Sequence, residues 1–233
     1  MIMHTNVMKH SLILMLLAGA ACVGSAGSAV ARRAAAPAPG RVYAYAVPTA
    51  ADGAARARDL LAALAKHMRT LGSYDLRFVV ETEEGATEGS CSVSGDDYVM
   101  RLGRAEIYGS PVVRYEVDNV RREVTVESND GSRTDILSNP ARAFDLAGEA
   151  FDALLVRESG GEAVVRLTPR AGQRGLSALT LTLDAAKSEP LVLEYDFDGD
   201  RIRIQLQGVA ARKSPLPRFD RARYADYEVI DFR

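Results

Sequence analysis

Residues 72–81 read GSYDLRFVVE, and the fold turns on them. Tyr74, Leu76, Phe78 and Val80 alternate with Asp75, Arg77, Val79 and Glu81, a period of two that puts the first set on one face of a β-strand. Upstream the period is different. Ala57, Leu60, Leu61, Leu64, Met68 and Leu71 recur at steps of three and four, while Arg56, Asp59, Lys66 and Arg69 fall largely on other faces. Residues 51–71 therefore predict one amphipathic helix that ends near Gly72.

The alternating grammar continues downstream. Strands are expected at 88–94, 98–102, 112–117 and 121–127, with turns at 83–85, 95–97 and 118–119 and a short connection at 103–109. The pattern breaks at Asn129-Asp130-Gly131. From 139 to 156 (NPARAFDLAGEAFDALLV), Phe144, Leu146, Phe151, Leu154 and Leu155 favour one or two short helices, with Asn139 as N-cap and Pro140 in the first helical position. Strands resume at 163–168, 176–183, 191–197 and 201–207, and a Pro-containing loop (KSPLPRFD) leads to a last strand at 227–232. Hairpin-length connections make the sheet antiparallel. About nine or ten strands can cover their apolar face by curling toward a barrel around the helices. The expected class is α+β: a curled antiparallel β-sheet forming a half-open barrel with an α-helical lid.

The N-terminal region reads as an export signal. Residues 1–10 carry Lys9 and no acid, and 11–23 (SLILMLLAGAACV) form an apolar run too short to span a bilayer. Ala29-Val30-Ala31 fits an A-x-A cleavage site; Gly19-Ala20-Ala21-Cys22 is a poor lipobox, since Gly19 stands where a branched apolar residue is usual. The expectation is cleavage after Ala31, an Ala/Pro-rich linker over 32–48, a domain over 49–233, and a periplasmic address. Lipidation at Cys22 is the other exit.

The chain has 29 basic and 31 acidic side chains; losing residues 1–31 removes Lys9 alone and leaves a formal charge of −3. That balance argues against nucleic acid as a partner, because phosphate neutralisation needs a basic excess. Of two Cys only Cys91 remains, and of three His only His67. A His-rich zinc site or a His-dependent triad has little to draw on, so no catalytic residue, metal or cofactor is assigned. Cys91, between Ser90 and Ser92 in an expected strand, reads as a buried thiol, and His67 as a boundary residue. Asp196, Asp198 and Asp200 around Gly199 lack the later Glu of a calcium loop and read as a hairpin turn.

The order of these elements and five local strings resemble the outer-membrane lipoprotein carrier family LolA. The strings are Leu71-Gly72-Ser73-Tyr74, Tyr98-Val99-Met100-Arg101, Asn139-Pro140, Leu167-Thr168-Pro169-Arg170 and the closing Glu228-Val229-Ile230-Asp231-Phe232-Arg233, the last similar to a Bacteroidetes-type branch. The resemblance covers residues 51–233. It implies a monomeric, cofactor-free periplasmic protein that holds acyl chains of lipoproteins, with an inner-membrane release complex and an outer-membrane acceptor as partners. It also implies that Arg101 latches the lid. Without the family, strand phase places Arg101 opposite Met100 and Leu102, as a solvent-facing residue if those two face inward.

Leu76, Phe78, Val80, Met100, Tyr115, Leu181, Leu183, Leu193, Ile202 and Ile204 form the inward stripe. They either line a lipid cleft or fill a solid core. Phe144, Leu146, Phe151, Leu154 and Leu155 are the lid residues. Two functions stay open: an acyl-chain carrier, which lipidation would turn into a membrane-anchored acceptor, and a signalling or structural envelope module with a filled core. An enzymatic reading needs a constellation the sequence does not contain.

Overall fold

In a computed structural model of the protein, the described residues are 50–129, 136–146, 148, 150–170, 176–197 and 199–233. The signal segment with both of its processing sites, the linker and Asp198 lie outside them.

The helix α1 spans Ala50–Leu71, and Gly72 ends it with φ +64° and its N–H bonded to the Arg69 carbonyl. The strands are β1 (Ser73–Thr82), β2 (Gly85–Ser94), β3 (Asp97–Leu102), β4 (Ala105–Gly109), β5 (Val113–Asp118), β6 (Glu123–Ser128), β7 (Phe151–Ser159), β8 (Glu162–Pro169), β9 (Leu176–Asp184), β10 (Glu189–Phe197), β11 (Asp200–Ala211) and β12 (Glu228–Asp231). They form one sheet in the order β12-β6-β5-β4-β3-β2-β1-β11-β10-β9-β8-β7. Every pairing is antiparallel except β12 on β6, which is parallel. The two ends of this order do not meet, so the sheet is open.

Four expectations need correction. Residues 103–109 are not merely a connection: Ala105–Gly109 is β4, five residues whose small end positions hide the alternation. The second helical piece does not exist, because Phe151, Leu154 and Leu155 lie on β7, paired antiparallel with β8 from Phe151↔Pro169 to Ser159↔Glu162. A short apolar run carries both periods, and β8's hydrogen-bonding edge settles the choice. What is helical among the described residues of that segment is one 3-10 turn, Pro140–Arg142, which Asn139 precedes without a side-chain cap. Finally, the sheet is not wholly antiparallel, since β12 arrives by crossing the sheet rather than by a hairpin.

Cross-strand partners share a face, so the register defines two. The helix face holds Leu76, Phe78 and Val80 of β1 with Cys91 and Met100 on one side and Ile204, Leu193, Leu181 and Val165 on the other, all at most 1% exposed. Against it α1 buries Leu60, Leu61, Leu64 and Met68. Those four side chains alone contribute on the order of 6–12 kcal/mol as an upper estimate. Two glycines are required by aromatic rings on this face: a Cβ at Gly89 would fall 2.3 Å from the Phe78 ring, and one at Gly109 would fall 2.1 Å from the Tyr98 ring. Gly53, buried in α1, approaches the Leu155 carbonyl and the Leu154 side chain, so the first turns of the helix shield the outer edge of β7.

Candidate functional site

The helix face of the sheet has a second cover besides α1. Residues 136–146 lie across it, with Ile136, Leu137, Ala143, Phe144 and Leu146 at most 6% exposed. Tyr98 Oη donates to the Ser138 carbonyl at 3.0 Å, the Ile136 N–H donates to Tyr195 Oη at 3.2 Å, and Asp145 joins Arg69 of α1 at 3.6 Å and Arg142 at 3.1 Å. Asp145 and both arginines stand in solvent, where such pairs are worth little.

Between α1, the start of β1, the end of β2 and this cap lies a cavity of about 180 Å³. Ala65, Met68, Tyr74, Val93, Ala141 and Phe144 wall it, and Arg69 and Asp145 stand among its lining residues. Ligand pockets for drug-sized molecules run to roughly 300–1,000 Å³, so this one takes a fragment of a chain.

Of the ten expected cleft residues, nine lie together on the helix face: Leu76, Phe78, Val80, Met100, Leu181, Leu183, Leu193, Ile202 and Ile204 are at most 3% exposed. They are packed, not open. Tyr115 is a correction. It sits on the opposite face, half-buried, with its ring stacked on Phe219 at 4.1 Å. In β5 and β6 the polarity of the two faces is reversed: Arg114, Glu116 and Glu127 occupy the helix face, while Val117, Val124 and Val126 turn away from it. Arg114 donates to Glu116 at 2.8 Å and lies 3.5 Å from Glu127. Burial lowers the Arg114 pKa, but the charges of Glu116 and Glu127 outweigh it and the net shift is upward.

Among the lid residues, Phe144 and Leu146 are in the cap; Phe151, Leu154 and Leu155 are on β7, with Leu154 44% exposed. The latch role expected of Arg101 is likewise corrected. Arg101 lies on the face away from Met100 and Leu102, and its ion pair is with Glu106 at 3.4 Å. Strand phase alone places it there. Cys91 is fully buried, and burial pushes its thiol pKa far up.

The sequence reading missed what covers the second face. After β11 the chain crosses β1–β6 as a strap, residues 212–227, before ending in β12. Arg212 fixes its root by donating to Asp75 at 2.7 Å. Leu216, Phe219, Tyr224 and Tyr227 then pack on Val99, Tyr108, Val117, Val124 and Val126. Glu106, 8% exposed, is the polar centre of that contact. It accepts from Tyr108 at 3.1 Å and from Tyr224 and Arg223, each at 3.3 Å. Burial pushes the Glu106 pKa up, but the Tyr108 hydrogen bond, the Arg223 charge and the Asn119 amide outweigh that, and the carboxyl is held below the ordinary glutamate range. The spacing of Phe219, Tyr224 and Tyr227 was the available signal, though nothing local gives its partner.

The fold and site define an α+β protein with an open twelve-stranded sheet, one face under an apolar cap and the other under a clamped strap. Among the described residues, no helix is long and apolar enough to cross a membrane, and no group of three His, Cys, Asp or Glu side chains could hold a metal ion. No family model matches the sequence, and no curated protein matches it. Solved structures do. The chain is similar to an uncharacterized conserved protein from Thermus thermophilus, with 11% identity, 76% of this chain and 99% of that one covered, and a TM-score of 0.48. It is similar to MucB in the Pseudomonas aeruginosa MucA/MucB complex, with 23% identity, 75% and 63% covered, and a TM-score of 0.38. It spans under two thirds of that chain's length. A LolA superfamily protein from Nitrosomonas europaea is a third, with 11% identity, 68% and 94% covered, and a TM-score of 0.39.

Proposed function

We propose that the protein is a periplasmic, non-enzymatic carrier that takes acyl chains between the sheet and the 136–146 cap and conveys them toward the outer membrane. The observation that supports this is the construction of the cap. It meets the sheet through Ile136, Leu137, Ala143, Phe144 and Leu146, and its ion pair with α1, Asp145 to Arg69, stands in solvent. The apolar contacts of such a cover can be taken over by hydrocarbon when it lifts. The cavity beneath it is where a chain would begin to enter. An acyl chain of about sixteen carbons costs on the order of 12 kcal/mol to hold in water, so the carrier's apolar face offsets a large penalty. The cargo is a lipoprotein or another acylated lipid, received from an inner-membrane release complex and passed to an outer-membrane acceptor.

A second reading rests on the same packing. The nine cleft residues fill the interior, as they would in a signalling or structural module that binds a protein on its surface. Native mass spectrometry of the protein purified from its own envelope separates the two. The carrier is expected to retain lipid, or to take up a fluorescent fatty acid when emptied, with faster uptake in Asp145→Asn. A lipid-free protein that takes up no fatty acid in either form rejects carriage and leaves the filled module.

A further inference from the structure

The strap has a charge unlike the rest of the chain. Residues 212–227 (RKSPLPRFDRARYADY) carry five cations against two acids, Asp220 and Asp226, and Asp226 is paired with Arg122, in a protein whose formal charge is −2. The structure shows how little of that charge is neutralised. Arg212 is used by Asp75, and the Asp220 carboxylate accepts from the Ala222 N–H. Arg221 donates to the backbone carbonyls of Tyr224 and Tyr227 and has no carboxylate partner among the described residues. Arg223 and Arg101 share the single charge of Glu106. Lys213 and Arg218 are exposed and have no carboxylate partner among the described residues, and the same holds for Arg77, which the register places two strands from Arg101 on this face.

These cations are held in place, not on a loose tail. The Asp75 anchor, the aromatic packing of Phe219 and Tyr224 and the Glu106 clamp fix the strap, and the exposed Pro215 and Pro217 sit between Lys213 and Arg218. The result is a broad basic surface with apolar side chains at its middle. We propose that the outward side of the strap is a docking surface for an anionic membrane, whose phosphate head groups it binds peripherally. A bilayer fits better than a folded acidic partner because it presents many phosphates at once and requires no shape match. Each Lys or Arg brought to such a surface adds to affinity, and salt screens the effect. The surface is on the opposite side of the sheet from the cap, so the proposal stands independently of acyl binding.

Co-sedimentation with vesicles tests it. The purified chain is expected to pellet with phosphatidylcholine vesicles containing phosphatidylglycerol, not with phosphatidylcholine alone, and to be released by high salt. Lys213→Ala with Arg218→Ala removes two exposed charges and is expected to weaken binding by about thirtyfold, with the thermal unfolding midpoint unchanged. Asp145→Asn is expected to bind vesicles as the unaltered protein does, which keeps this result distinct from the acyl-chain test. Equal binding to both vesicle types, or none to either, overturns the proposal. So does binding to polyglutamate without vesicle binding, which would assign the strap to an acidic polypeptide.

Discussion

The two covers of the sheet are built on opposite principles. The cap of residues 136–146 meets the helix face through Ile136, Leu137, Phe144 and Leu146, and its charged ties stand in water at Asp145. The strap meets the other face through stacked aromatic rings and a buried carboxylate, Glu106, that serves two arginines and two tyrosines. Removing the first exposes hydrocarbon, which a lipid can cover again. Removing the second strands a buried charge and its donors, which a lipid cannot satisfy. The difference separates a cover whose contacts hydrocarbon can replace from one that is fixed to the sheet by charge.

That comparison can be broken in order of expected effect. Leu193→Ala, at a fully buried position shared by both halves of the helix face, is expected to lower stability by about 2–5 kcal/mol in chemical denaturation. A smaller loss would mean that the interior is already loose. Glu106→Gln is expected to cost about 2 kcal/mol and to speed tryptic cleavage within the strap, at Lys213 and Arg218, while leaving the cap unaffected. Resistance equal to the unaltered protein would show that the aromatic stack alone holds the strap.

The same carboxylate gives a pH dependence with a definite sign. Glu106 titrates lower in the folded protein than in the unfolded chain, so its contribution is complete above the ordinary glutamate range and is lost as pH falls through the folded value. Strap cleavage by an acid-active protease should therefore rise below about pH 4, and Glu106→Gln should flatten that rise. Gly109→Ala drives a methyl group into the Tyr98 ring and displaces the hydroxyl that donates to Ser138; a cost on the order of 1 kcal/mol is expected, with increased hydrogen exchange confined to the cap. Asp145→Asn comes last. Its stability change should stay below about 1 kcal/mol because its partners are exposed, yet fatty-acid uptake should quicken.

Much of this was legible in the chain. Period three-to-four before Gly72 and period two after it located α1 and most strands to within a few residues, because side-chain direction follows from backbone geometry alone. Nine of the ten inward residues followed from the same rule. Phe151, Leu154 and Leu155 did not, since a short apolar run fits a helix or a strand until β8 supplies its partner. Arg101 shows the limit of resemblance: its phase in β3 was readable, and the role attached to it was not supported by its place.

Tyr115 marks the boundary between what sequence and tertiary structure decide. Alternation in β5 and β6 sorted the side chains into two sets, and both sets contain residues that belong inside. Which set meets the helix and which meets the strap depends on residues 216–227, about a hundred positions later, because a strand's period fixes two faces without fixing their covers. The sequence by itself therefore determined the elements, the turns at Gly72 and Gly95, and the balance of charge. Tertiary structure decided that the sheet is covered on both sides, that β12 joins it in parallel, and that Glu106 clamps the strap, since burial and charge pairing are properties of contacts between distant segments.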